Sequence, residues 1–267
     1  MLDALSILDA EPEAAALPAT SVFEALAAKG EAQQWSFDDL DWDTEAVAPA
    51  WLPRKFHAAL ISQFYHGEMA TLAMCRRILA DVDAPEARRC VELQIADETR
   101  HAEVYRAYVT EIGGLQPIHP TLKAAYDKAL AWDGPPEAMI AAFNIVLEGE
   151  ALFALDYLSG WLPCPRFRRI NARVSRDEAR HLAFGRAYLK ARLGALGRDR
   201  RFEIYHWLKG LWTNTAFGIL GRFPIPNAIL GRRCRTWAET GWQDHRRALF
   251  DVGLVSAEEA RRLEGGA

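Results

Sequence analysis

Residues 97–101 read Asp-Glu-Thr-Arg-His, and residues 177–181 read Asp-Glu-Ala-Arg-His. Residues three apart on a helix share a face. Glu98 and His101 therefore present a carboxylate and an imidazole side by side, and Glu178 and His181 do the same on a second helix. A single Glu-x-x-His usually marks a solvated face. Here two near-identical copies sit among Val91, Leu93, Ile95 and Tyr105, and among Leu182, Phe184 and Tyr188. Such faces are partly buried, and unpaired carboxylates on them are costly. A bound dication supplies the missing positive charge.

Two Glu-x-x-His helices, joined by one Glu from each of two further helices, make a di-metal carboxylate site inside a four-helix bundle. The two remaining glutamates are sought on the other long helices. Glu68 lies in Phe64-Tyr-His-Gly-Glu-Met-Ala-Thr-Leu72, 30 residues before Glu98. Ile145-Val-Leu-Glu-Gly-Glu-Ala-Leu-Phe153 offers Glu148 and Glu150, and Glu148 repeats the 30-residue interval, now to Glu178. Two positions on a helix are roughly 200° apart, so the pair cannot both face one site. Glu148 is preferred, with Glu150 beside the site or facing a channel.

Around these motifs the chain reads as helix throughout. Apolar residues at helical spacing predict a first long helix from Pro53 to about Asp81. Asp83-Ala-Pro-Glu86 reads as a capped start of a second, which Gly113-Gly114 stops. A shorter helix is predicted over Thr121–Trp132. A third long helix starts after Asp133-Gly-Pro-Pro136 and ends near Ser159-Gly160. A fourth covers about Arg166–Leu193. Further helices follow, interrupted by Gly221, Pro224 and Pro226. The organisation expected is an N-terminal arm over 1–52 with one short helix near Ser21–Ala28, a di-metal bundle over 53–194, and a helical extension over 195–267 packed on it. Almost no β alternation appears, so the fold class is all-α.

The paired Asp-Glu-x-Arg-His motifs resemble those of the ferritin-like di-metal carboxylate superfamily, in particular its oxygen-activating branch. That branch includes monooxygenase hydroxylases, acyl-carrier-protein desaturases, ribonucleotide reductase small-subunit-like oxidases and aldehyde-deformylating oxygenases. Asp177-Glu-Ala-Arg-His-Leu-Ala-Phe-Gly185 looks most like the last of these. The resemblance covers roughly residues 55–193. It implies a ferritin-like four-helix bundle with Glu68, Glu98, His101, Glu148, Glu178 and His181 as ligands and catalytic centre. It also implies that Asp97 and Asp177 orient histidines on opposite helices, with Arg100 and Arg180 pairing those aspartates. The cofactor implied is two iron ions, or a manganese–iron pair, with O₂ as co-substrate. Many relatives carry a Thr four residues after the third carboxylate. Leu152 stands there (Ala154 if Glu150 is the ligand), so the resemblance does not extend to proton delivery by that hydroxyl.

Composition narrows the function classes. Thirty-six acidic against 32 basic residues give a net charge of −4, which argues against nucleic acid as a partner. Cys75, Cys90, Cys164 and Cys234 form no C-x-x-C pair, so a structural zinc site is not expected, and they are read as reduced thiols of a cytoplasmic protein. The acidic start, lacking Lys and Arg, is unlike a secretory signal. No run of 18 uncharged apolar residues occurs, so no transmembrane segment is expected. Leu211–Leu230, the least polar stretch, is read as a buried or pocket wall. Glu203 and His206 repeat Glu-x-x-His without the flanking Asp and Arg; since some arylamine N-oxygenases recruit an extra histidine, His206 is a minor candidate ligand. His66 is read as structural.

Three functions follow. The first is a non-haem di-iron oxygenase or oxidase that activates O₂ to hydroxylate, N-oxygenate, desaturate or cleave a small organic substrate. The second is a ferroxidase, against which the long arm and extension argue. The third is a radical-bearing or assembly subunit acting on a partner protein, with a tyrosine such as Tyr105 near the metals. The expected partners are an apolar or aromatic substrate, an electron donor (a ferredoxin or reductase) and a second copy of the chain in a homodimer. Leu147, Leu152, Phe153 and Leu155 are expected to wall a cavity beside the metals. Trp207, Trp212, Trp237 and Trp242 are read as core packing of the C-terminal helices or as a substrate pocket.

Overall fold

A computed structural model describes residues 21–220 and 230–265, and no strand occurs among them. The first 20 residues, and Gly221, Pro224 and Pro226, lie outside the described residues, as do the side chains of Cys234 and Trp237.

Four long helices carry the structure. They are α2 (Arg54–Ile78), α3 (Pro85–Ile112), the composite third helix, and α7 (Pro165–Arg192). The third helix begins as α5 (Pro136–Ile140), widens into a π-helical stretch over Ala141–Leu147, and continues as α6 (Glu148–Trp161). α2 lies along α3, α6 along α7, and α3 against α7. α1 (Val22–Ala32) precedes the bundle and lies across α3 and α7. α4 (Pro120–Leu130) and α8 (Arg198–Leu220) pack on each other at one flank. α9 (Leu230–Asp251) closes on α8 and the π-helical stretch, and α10 (Ala257–Glu264) follows.

The helix ends have local causes. Ser21 and Glu24 form a reciprocal capping box at α1. Pro85, Pro120, Pro136 and Pro165 occupy first-turn positions, where a missing N–H costs nothing. Gly114 takes φ +83° after α3, a conformation open to glycine, and its N–H closes on Val109 O at 2.8 Å. One expected device is absent. The N-cap of α3 is Ala84, with no side-chain cap. Pro85 at the first position sets the helix entry instead of Asp83.

The helix Pro136–Gly160 is long and apolar enough to cross a bilayer. Glu137, Glu148, Glu150 and Asp156 interrupt it, so it contains no run of 18 uncharged residues. More than half of its most apolar stretch is buried inside the protein. Ala141, Phe143 and Ile145 join one core cluster, and Leu155 and Leu158 another.

Candidate metal centre

Each bundle helix delivers one carboxylate to the interior: Glu68 from α2, Glu98 from α3, Glu148 from the first turn of α6, and Glu178 from α7. His101 and His181 stand one turn beyond Glu98 and Glu178. All six side chains are buried. Their ligand atoms form two sets, Glu68–Glu98–His101–Glu178 and Glu98–Glu148–Glu178–His181, each within 4.8 Å of one another. Glu98 and Glu178 belong to both sets and lie between them.

The imidazoles are aimed by aspartates on the opposite helix. His101 Nε2 lies 3.3 Å from Asp177 Oδ2, and His181 Nε2 lies 3.1 Å from Asp97 Oδ2. With Nε2 engaged there, each Nδ1 turns inward. His101 Nδ1 is 3.3 Å from Glu178 and 3.6 Å from Glu98; His181 Nδ1 is 3.2 Å from Glu98 and 3.3 Å from Glu178. Arg180 bonds both aspartates, Asp177 at 3.1 Å. Arg100 bonds Asp97 and reaches Asp177 at 3.4 Å. These four residues form a buried lattice around the cluster, not a surface ion-pair array.

Several contributors carry no motif. Trp35, in the segment after α1, donates its indole N–H to Asp177 Oδ2 at 2.6 Å and stacks 6.1 Å from the His101 ring. Arg100 sits 4.6 Å over the indole. Gln94 donates to Glu148 at 2.6 Å and to Glu98 at 3.2 Å. Asn144 donates to Gln94 Oε1 at 3.1 Å and to Glu148 Oε1 at 3.2 Å. Gln94 and Asn144 each precede a cluster glutamate by four residues, a signal that helix spacing offered. Trp35 offered none, because 142 residues separate it from its partner.

Burial and mutual repulsion set the electrostatics of the cluster. Burial, then the charges of Glu178 and Glu98, push the Glu68 carboxyl well above its ordinary value. Burial and the same two carboxylates push Glu148 up as well, against His181. Burial disfavours charged imidazoles, yet the facing carboxylates raise both His101 and His181 well above theirs. Burial also opposes ionisation of Asp97 and Asp177, but the imidazoles and Arg180 hold both below the usual carboxylate range. Two buried inward-facing atoms, Glu98 Oε2 and His101 Nδ1, have no hydrogen-bond partner. Mutually repelling carboxylates, orphaned lone pairs and imidazoles oriented from behind fit a pair of divalent ions with mixed oxygen and nitrogen ligation.

Glu150 turns away from the cluster, as 200° of helix rotation requires, and its Oε1 lies 3.0 Å from His245 Nε2 on α9. His206 is exposed on α8 against the Tyr205 ring, outside the cluster. His66 Nε2 lies 2.9 Å from the carbonyl of Gln116. Tyr105, one turn beyond His101, donates to Asn171 at 3.3 Å.

A cavity of about 190 Å³ lies on the other side of the third helix, between it, α4 and α8. Of the four residues expected to wall a cavity, Leu147 does so, while Leu152 packs against the core and Leu155 is buried in it. Phe153 faces outward, 58% exposed, and stacks on Tyr157, because five residues of regular helix carry it roughly 140° around from Glu148. Leu211 and Trp212 line the cavity; Trp207 packs 4.6 Å from Trp132, and Trp242 donates to Glu264.

The family model P-aminobenzoate N-oxygenase AurF matches residues 67–217, from just before Glu68 to the end of the cavity wall on α8. The chain belongs to this family. Solved structures similar to this AurF-family chain include an R2-like ligand-binding oxidase variant with an anaerobically reconstituted Mn/Fe cofactor. It is 16% identical with a TM-score of 0.67, over 90% of this chain and 97% of that one. The R2-like ligand-binding oxidase from Sulfolobus acidocaldarius is 14% identical with a TM-score of 0.56, over 89% and 93%. These likenesses establish the ferritin-like fold of the AurF-family chain. A search of curated proteins returned no match.

Proposed function

We propose that the cluster holds two iron-class ions, iron–iron or manganese–iron, and that the protein is an O₂-dependent oxidase or oxygenase of a small apolar or aromatic molecule. One observation carries this reading: two four-ligand sets sharing Glu98 and Glu178 lie buried in an AurF-family chain, with an apolar cavity across the helix that bears Glu148. When bound, the ions supply the redox equivalents for reducing O₂, which no side chain here can provide.

The chain's own residues do the rest. Glu98 and Glu178 hold the two positions in register. Asp97 and Asp177 keep the imidazole Nδ1 lone pairs pointing inward. Gln94 and Asn144 fix the Glu148 carboxylate by hydrogen bonds. Tyr126, Phe143 and Leu147 give the cavity an apolar wall. Insertion of one oxygen atom, by hydroxylation or N-oxygenation, consumes O₂ with two electrons and two protons and releases water. The electrons come from a ferredoxin or reductase. The test is metal content together with optical spectra of the reduced protein on exposure to O₂, with and without candidate substrates. About two ions per chain and substrate-dependent O₂ uptake are expected. Assembly into a shell that only mineralises ferric iron would replace this reading with a ferroxidase.

A further inference from the structure

The cavity is lined by Tyr126, Phe143, Val146, Leu147, Leu211 and Trp212 among others, and among the described residues Glu150 is the one charged residue on its wall. An engineered apolar cavity of roughly 150 Å³ stays dry and binds benzene. About 190 Å³ therefore accommodates a single substituted ring.

Glu150 does not sit at this wall by default. The buried His245 brings Nε2 to 3.0 Å from Glu150 Oε1, and the His245 ring meets Trp212 edge-on at 4.6 Å. Gly241 allows this approach: a Cβ there would stand 2.6 Å from the Trp212 ring and 3.5 Å from Glu150 Oε1. Carboxylate, imidazole and indole thus lie together beside the cavity, the first two as a close charge contact without hydrogen-bond geometry. Toward the bundle, Tyr126 lines the wall and places its hydroxyl 3.5 Å from where a Cβ of Gly67 would lie, next to Glu68.

We infer that Glu150, positioned by His245, is the specificity-determining anchor of this cavity, selecting a single-ring apolar molecule with a cationic or hydrogen-bond-donating group and rejecting a carboxylate. A carboxylate facing an apolar cavity has given up part of its hydration, which a ligand N–H restores. A ligand carboxylate would meet like charge, and the described lining residues include no Lys or Arg to offset it. p-Aminobenzoate is therefore a poor fit for this chain despite its family. That the anchored molecule is the substrate rests on the proposed oxidase reading; the binding itself does not.

The experiment is calorimetric titration of the metal-loaded protein with benzylamine, toluene, phenylacetate and p-aminobenzoate, on wild type, Glu150→Gln and His245→Gln. Benzylamine should bind wild type at least tenfold tighter than phenylacetate or p-aminobenzoate. Glu150→Gln should weaken benzylamine roughly tenfold to hundredfold while leaving toluene binding and helical content intact. His245→Gln should weaken benzylamine less, by releasing the carboxylate from its position. Equal binding of benzylamine and phenylacetate, or benzylamine binding indifferent to Glu150→Gln, overturns the assignment. Metal content and O₂ uptake, measured in parallel, report on the oxidase reading separately.

Discussion

The indole of Trp35 donates to Asp177 at 2.6 Å, and the same Asp177 oxygen lies 3.3 Å from Nε2 of His101. A residue of the N-terminal segment thus holds the aspartate that holds a candidate ligand. Trp35→Phe keeps the ring stacked on His101 but removes the donor. Asp177 retains its arginine and histidine partners, so the fold should survive with a loss of about 1–3 kcal/mol in urea unfolding. Metal affinity should fall tenfold or more, as for other supports behind metal ligands. Unchanged affinity would show that Asp177 needs no help from Trp35.

The shared and unshared glutamates should differ in kind. Glu98→Ala or Glu178→Ala removes a ligand from both sets and should leave almost no metal on the helical protein, as should His181→Ala for its own ion. Glu68→Ala and Glu148→Ala each touch one set and should leave about one ion per chain. Metal analysis of the purified variants checks this. Equal occupancy across all four Glu variants would overturn the division into two sets.

Metal-free protein should lose stability as pH rises through neutrality. The Glu68 and Glu148 carboxyls and the His101 and His181 imidazoles all have raised values in the folded state. The folded chain therefore binds more protons than the unfolded one above pH 4.5 for the carboxyls and above 6.5 for the imidazoles, so stability falls with increasing pH there. Glu98, Asp97 and Asp177 are shifted down; their contribution is lost only on acidification and is constant near neutrality. Bound dications displace the extra protons. Melting curves at pH 6 and pH 8 should show the metal-free protein falling and the gap to the metal-loaded form widening. A metal-free melting temperature that rises over this range contradicts the electrostatic account.

Gly185 on α7 lets the π-helical stretch approach. A Cβ there would stand 2.5 Å from Asn144 Cβ. Gly185→Ala should cost about 1–3 kcal/mol from overpacking. It should also displace Asn144 from Glu148, lowering occupancy of the His181 set before the His101 set. Denaturant unfolding and metal titration separate the two effects.

Helical spacing alone places Glu98 beside His101 and Glu178 beside His181, because backbone hydrogen bonds fix the relation of positions three apart whatever the helix packs against. The same rule separates Glu148 from Glu150, and the four bundle helices agree with the sequence reading to within about three residues at each end. Other features depend on how helices distant in sequence are rotated and pressed together. The reach of Trp35 across 142 residues to Asp177, and of His245 onto Glu150, follows from packing of α1 and α9 on the bundle. No local periodicity encodes such contacts, since each is set by shape and burial at an interface that forms only when the helices assemble.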